Sequence, residues 1–282
     1  MGLRRAPRVG VQQDVQTRQP RAEPAPAAAQ IEPKPLHTQV HPSVLVVLPA
    51  YNEAGLIEGT FRRVEVFARR HHHYTFMFVD DGSTDATREI LARLVAEANS
   101  EQVKLLAYAP NRGKGGAVRS GFESAAQDIV LFTDSDLAYA LEHLPRLVSA
   151  LERAEVAIGS RSLIPRQESV VPLGRMIMGG AFNRLTRIML GMSHPDTQAG
   201  LKGFRRDAAR EVFKRLRLTG FAFDVELVFI AEHLGYRVAE IPARVSKRHN
   251  AKATKVSLFR DPMRMFMALV SIRVNHWLGR YA

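Results

Sequence analysis

Val44-Leu45-Val46-Val47-Leu48, closed by Pro49, is an uninterrupted apolar run with no polar position on either face. A strand of that kind is covered on both sides, the environment of a parallel sheet rather than of a solvated hairpin. Outward from it, Ile57, Phe61, Val64 and Phe67/Ala68 recur at helical spacing, and Thr75-Phe76-Met77-Phe78-Val79 is a second apolar strand. Ile90, Leu91, Leu94 and Val95 mark the inner face of the next helix, for which Ser83 or Thr84 is the expected cap. A third strand over 103–107, a glycine-rich loop, a helix over 116–126 and a fourth strand over 129–133 continue the alternation. The order β-α-β-α-β-α-β predicts an α/β fold, a right-handed, mostly parallel sheet covered by helices. Ligands of such sheets bind beyond the carboxyl ends of the strands, so the residues that follow each strand are the ones to read for chemistry.

The 282-residue chain contains no cysteine, which excludes a disulfide scaffold and any thiolate nucleophile or metal site. Residues 1–42 are rich in Ala, Pro, Gln and Arg without an apolar period and read as an unpacked tail. One domain is expected over 43–256 and an amphipathic helix over 257–282. The tail lacks the apolar core of a signal peptide, and no apolar stretch reaches the roughly 18 residues of a spanning helix. The expected location is therefore cytoplasmic.

The net charge of +12 implies an anionic partner, and its distribution says more than its size. Residues 1–42 carry +3, residues 43–160 carry −4 and residues 161–282 carry +13. An acidic first half and a basic second half suit an enzyme that holds a metal with carboxylates and then meets a phosphate. A nucleic-acid-binding protein is the alternative of a different class. It would spread basic and aromatic side chains over one face and would have no acidic strand ends.

The four strands end in Pro49-Ala50-Tyr51-Asn52-Glu53, Asp80-Asp81-Gly82-Ser83-Thr84-Asp85, Asn111-Arg112-Gly113-Lys114-Gly115-Gly116 and Asp134-Ser135-Asp136. The glycine-rich stretch has the make-up of a phosphate cradle but lacks the spacing of a Walker loop. Two carboxylates closing a buried strand repel each other unless a cation compensates, and a hard divalent ion bridging them to a diphosphate would do so.

In order and spacing these four segments resemble the family 2 glycosyltransferases of GT-A fold. Within that family the chain is most similar to the dolichyl-phosphate glucose synthases and their polyprenyl-phosphate relatives. Gly159-Ser160-Arg161, Asp196-Thr197-Gln198-Ala199-Gly200-Leu201-Lys202-Gly203-Phe204 and Phe223-Asp224-Val225-Glu226-Leu227 extend the resemblance over roughly residues 43–280. The resemblance implies that Pro49, Tyr51 and Glu53 line the nucleoside pocket, with one carboxylate of Asp80/Asp81 bonded to the nucleoside. It implies that Lys114 and Ser135 lie against the nucleotide and that Asp134 and Asp136 hold Mg²⁺ or Mn²⁺. Arg161, Arg175 and Lys202 fall where relatives bind the acceptor phosphate, Lys202 being equally open to an ion pair with Asp196. Asp196 and Gln198 belong near the sugar and acceptor. One departure is Leu137-Ala138-Tyr139-Ala140 after the acidic pair, where relatives carry a polar residue, and Tyr139 could stack on the sugar instead.

The implied reaction is inverting transfer from a nucleotide sugar, most readily UDP-glucose, to a polyprenyl or dolichyl phosphate, giving a β-linked product. Mannosyl transfer from GDP-mannose is the runner-up. A phosphate acceptor is ionised at neutral pH, so no dedicated general base is expected. Phe259, Met263, Phe266, Met267, Val270, Val274, Trp277 and Leu278 form a helical stripe flanked by Arg260, Arg264, Arg273 and Arg280, with a basic run over 247–252 ahead of it. The stripe reads as core packing, a dimer face or a peripheral contact with the membrane's cytoplasmic face.

Overall fold

The computed structural model describes Gly2 and residues 41–165, 173–246 and 260–282. The four expected strands are present as β1 (Val44–Ala50), β2 (Tyr74–Asp81), β3 (Val103–Tyr108) and β4 (Ile129–Thr133), followed by β5 (Val156–Ser160), β6 (Leu201–Arg205) and β7 (Val238–Pro242). They form one sheet of order β3-β2-β1-β4-β6-β5-β7. Only β6 runs against its neighbours β4 and β5. The sheet is thus mostly parallel, as the apolar runs require. β1 continues through Pro49 because pairing with β4 stops at Val47, which leaves the proline a partner on the β2 side alone.

Two apolar layers cover the sheet. On one side α1 (Ile57–Arg70), α2 (Thr87–Ala98) and α4 (Leu144–Ala150) bury Phe61, Val64, Leu91, Leu94 and Leu147 against Val46, Phe76, Phe78 and Leu131. On the other, α3 (Lys114–Glu123), α6 (Arg206–Arg215) and α7 (Phe223–His233) bury Val118, Phe122, Phe213 and Phe223 against Val47, Phe132 and Phe204. α5 (Leu173–Leu190) and α8 (Arg260–Trp277) pack against each other on that second side. Neither Ser83 nor Thr84 caps α2. Asp85 takes that part, accepting the Thr87 N–H at 2.9 Å, while Ser83 and Thr84 bond Asn52.

α8 corrects the core-packing reading of the C-terminal stripe. The helix does dock on the domain, but through Leu269 and Ile272, both fully buried. That leaves Met263, Phe266, Met267, Val274, Trp277 and Leu278 facing outward, with Trp277 72 % exposed. Ile188 of α5, also 72 % exposed, and Leu185 extend the same apolar surface type onto the neighbouring helix. Phe259 and the basic run over 247–252 lie outside the described residues.

Candidate active site

The sheet topology explains why segments far apart in sequence meet. β1, β2, β4 and β5 end at one edge, and antiparallel β6 begins there, with Leu201 opposite Thr133. Residues 196–200 therefore run in beside Asp134-Ser135-Asp136, and Arg161 follows directly from β5 at the same edge.

Asp134 and Asp136 are half-buried on either side of buried Ser135, whose carbonyl accepts the Thr60 hydroxyl of α1 at 2.6 Å. Leu137 turns the chain at φ 47°, and the Ala138 N–H donates to Asp136 at 2.9 Å. Lys114, the first residue of α3, places its Nζ 2.6 Å from Asp134 and 3.6 Å from Asp224. Burial works against its charge, but the two carboxylates outweigh it and hold the ammonium above the ordinary lysine range. Gly113 sets this lysine in place: it sits at φ 81°, and a Cβ there would meet the Thr219 carbonyl at 2.7 Å. Gly200 lies so close to Asp134 that any Cβ would collide with the carboxylate.

Asp80 and Asp81 divide because successive strand side chains take opposite faces. Asp81 faces the glycine-rich loop. Its Oδ1 accepts the Tyr108 hydroxyl at 2.7 Å and the Arg112 N–H at 2.8 Å, and its Oδ2 accepts Asn111 Nδ2 at 2.8 Å. A carboxylate has about four acceptor positions, so one remains on Asp81. Asp80 is fully buried, and among the described residues neither of its oxygens has a hydrogen-bond partner. Beside them Tyr51 is exposed and Pro49 and Glu53 half-buried. Asn52, at φ 54°, ties this loop to the next by accepting the Thr84 N–H at 2.8 Å.

Arg161 and Asp196, both read from the sequence as site residues, are brought into direct contact. Arg161 donates to Asp196 from its backbone N, Nε and Nη2, each at 2.8 Å. Burial would raise the Asp196 pKa, but the guanidinium fork and backbone N–H win and hold it below the usual carboxylate range. Asp196 is spent on orienting Arg161, whose side chain stays 40 % exposed with donors left for an anion. Gln198 lies in the same loop and donates to the Met265 sulfur of α8 at 3.9 Å.

Two expectations change, those for Lys202 and Tyr139. Lys202 is fully buried, with its Nζ 2.5 Å from Asp224 and 2.7 Å from the Ala199 carbonyl. It has no surface for an acceptor phosphate, and its ion-pair partner is Asp224 rather than Asp196. Tyr139 is 5 % exposed and bridged to Val245, so its ring has no free face for a sugar. Arg175 falls in the first turn of α5, in a stretch whose side chains lie outside the described ones. Asp224 is the site residue that sequence reasoning missed. It joins the two lysines from the first turn of α7, which also holds buried Glu226, and acids in that largely apolar, buried run were the available signal.

The residues fit a divalent cation. Two half-buried carboxylates supply hard oxygen donors, and the Lys114 ammonium against Asp134 shows that the position demands positive charge. Among the described residues no group of three or more His, Cys, Asp or Glu side chains could hold a metal ion. The remaining ligands would have to be diphosphate and water oxygens, the usual share for Mg²⁺.

The family model "Glycosyl transferase family 2" matches residues 45–213. A dolichyl-phosphate beta-glucosyltransferase of Saccharomyces cerevisiae is 33 % identical over 256 residues, 84 % of this chain and 75 % of the relative. An undecaprenyl-phosphate mannosyltransferase of Micrococcus luteus is 30 % identical over 209 residues, 73 % of this chain and 84 % of the relative. Among solved structures, glucosyl-3-phosphoglycerate synthase of Mycobacterium tuberculosis with Mn²⁺, uridine diphosphate and phosphoglyceric acid superposes with TM-score 0.58 at 19 % identity. The match covers 86 % of this chain and 79 % of that one and shows the shared fold.

Proposed function

From the premise that the chain belongs to glycosyl transferase family 2, with the GT-A fold, and is a glycosyltransferase, we propose that it moves glucose from UDP-glucose onto a polyprenyl phosphate. The observation that carries the acceptor assignment is the engagement of the edge carboxylates. Asp81 is bonded to the loop over 108–112, Asp134 to Lys114, Asp196 to Arg161 and Asp224 to two lysines, while Asp80 is fully buried. A hydroxyl acceptor would need one of them as a base, whereas a phosphate oxygen arrives already ionised.

In this reading the acceptor phosphate is held by Arg161, fixed in direction by Asp196, together with Arg175, and Gln198 lies in the loop that carries Asp196. Pro49, Tyr51 and Glu53 flank the nucleoside, and the remaining acceptor position of Asp81 takes one base N–H. Lys114 and Ser135 meet the diphosphate. Asp134 and Asp136 would hold Mg²⁺ or Mn²⁺, which would supply charge neutralisation of the leaving diphosphate. A phosphate oxygen attacks the anomeric carbon as the bond to the diphosphate breaks, and the electron pair leaves with the diphosphate oxygen. No proton is taken, and the α-linked donor becomes a β-linked lipid phosphate sugar. The exposed face of α8 and its arginines would bring the enzyme to the membrane's cytoplasmic face.

The test is transfer of labelled sugar from UDP-glucose or GDP-mannose to a defined polyprenyl phosphate with Mg²⁺ or Mn²⁺, scored as organic-extractable label. Transfer of glucose as the β-anomer is expected. Transfer from GDP-mannose alone would replace glucose by mannose, and no transfer from either donor would overturn the reading.

A further inference from the structure

The glycine-rich loop ahead of α3 does not hold its shape by itself. The Gly115 N–H donates to the Thr219 carbonyl at 2.7 Å, the same carbonyl that a side chain on Gly113 would strike. The loop is therefore seated on the segment between α6 and α7, which has no regular structure of its own. Arg119 holds its start through the Leu216 carbonyl, and a buried carboxylate holds the residues that follow. Glu226 Oε2 accepts the N–H groups of Leu218 at 2.6 Å and Arg217 at 3.1 Å, and Oε1 accepts the Tyr281 hydroxyl at 2.5 Å. Glu226 and Tyr281 are both fully buried.

Tyr281 arrives from the turn that closes α8. Gly279 at φ 67° reverses the chain, and the Arg280 N–H donates back to Asn275 at 3.0 Å. The ring then packs on Phe229 at 5.8 Å, and Arg215 Nε donates to the Tyr281 carbonyl at 3.0 Å. Burial and the Glu226 contact both raise the tyrosine pKa, so the phenol is a donor at neutral pH. A buried acid costs more than an apolar residue of its size, so packing alone gives no reason for Glu226. Its three donors do: two belong to the seat and one to the end of α8.

We infer that Glu226 and Tyr281 are positioning residues of the donor site, which through the backbone of 217–219 set the place of Gly113, Lys114 and Gly115. The inference rests on residues 111–116 being the nucleotide loop. It also ties that loop to the helix whose outer face is apolar, so a force on α8 reaches Lys114 through two side chains.

Tyr281→Phe keeps the ring on Phe229 and removes only the hydroxyl, and Glu226→Gln is the stronger variant. Hydrogen–deuterium exchange of the ligand-free protein is expected to speed up at the Gly115 and Leu218 amides in both. UDP or GDP affinity by calorimetry, at a temperature where both variants are folded, is expected to weaken on the order of tenfold. The KM for the nucleotide sugar should rise with it while the KM for the lipid phosphate stays. Unchanged exchange at Gly115 overturns the inference, and so does faster exchange with unchanged nucleotide affinity, the mark of a purely structural bond. Should the parent protein bind neither nucleotide, the functional reading fails on its own, and the exchange rates alone decide the coupling. Should Glu226→Gln fail to fold, Tyr281→Phe carries the test.

Discussion

Neighbouring acids at the end of β2 face opposite layers, and they should respond oppositely to the same chemical change. Asp81 takes three side-chain or backbone donors, so Asp81→Asn replaces an acceptor by an NH₂ that confronts donors. A loss of about 1–3 kcal/mol in unfolding free energy is expected, with weaker nucleotide binding. Asp80 has no donor to lose among the described residues, and Asp80→Asn removes a buried carboxylate without a partner there, so stability should hold or rise. Denaturant titration of the two variants checks this, and a large loss in Asp80→Asn would show that the buried carboxylate is compensated. Gly200 gives a second expectation, because a methyl group there displaces the Asp134 carboxylate. Gly200→Ala should lower Mn²⁺ affinity, read by electron paramagnetic resonance, and cost roughly a hundredfold in kcat. Unaltered Mn²⁺ affinity would refute the part given to Asp134. Residue types at this edge were legible in the sequence because strand ends and turn glycines are local. Partners were not: Lys202 is the second residue of β6, and only the placement of α7 decides that it meets Asp224.

Between elements, the loop that leads from α5 to Asp196 is held by α7. His194 contacts Glu232 through Nδ1 and stands 3.1 Å from the Val238 carbonyl through Nε2. Acceptors at both ring nitrogens favour the imidazolium, and the Glu232 bond above all raises the His194 pKa. The stabilisation is then fully present below the unfolded value of about 6.5 and is lost as pH rises through the higher folded value. The melting-temperature gap between the parent protein and His194→Gln should therefore be wide at about pH 6 and narrow on moving to about pH 9. A gap that widens with pH would reverse the sign and sink the assignment. The elements themselves were largely readable, because β1, β2 and β4 are runs whose period needs no tertiary knowledge. The limits that moved did so for non-local reasons. β1 passes through Pro49 because β4 has already left its side, and α2 starts late because Asn52 draws Ser83 and Thr84 away.

Across the whole molecule the charge excess and the apolar ridge belong to the same half of the chain. A strict three- and four-residue stripe normally turns inward, yet in α8 a second stripe of Leu269 and Ile272 takes that place. Sequence periodicity marks the outward stripe and not the pair that docks, since which face turns inward depends on what α5 offers as a neighbour. The outward stripe, interleaved with Arg264, Arg273 and Arg280, has the make-up of a helix that lies in a bilayer interface. No helix among the described residues is long and apolar enough to cross a membrane. The chain's single tryptophan, Trp277, sits on this ridge with Arg273 over its ring at 5.4 Å, so its emission reports on the ridge alone. Vesicles containing anionic lipid should shift that emission to the blue, and neutral vesicles should do so far less. Each basic residue at such a surface contributes about 1 kcal/mol, and screening sets in over about 8 Å at physiological salt. Raising the salt should therefore weaken binding steeply without abolishing the part due to Phe266 and Met267. Phe266→Asp with Met267→Asp should remove that remainder and leave nucleotide affinity unchanged, because both side chains are exposed on the outward face of α8. Emission that ignores anionic vesicles at low salt, in protein that still binds nucleotide, would turn the ridge into a contact between protein surfaces instead. Binding that persists in the double variant would move the membrane contact to the basic residues alone.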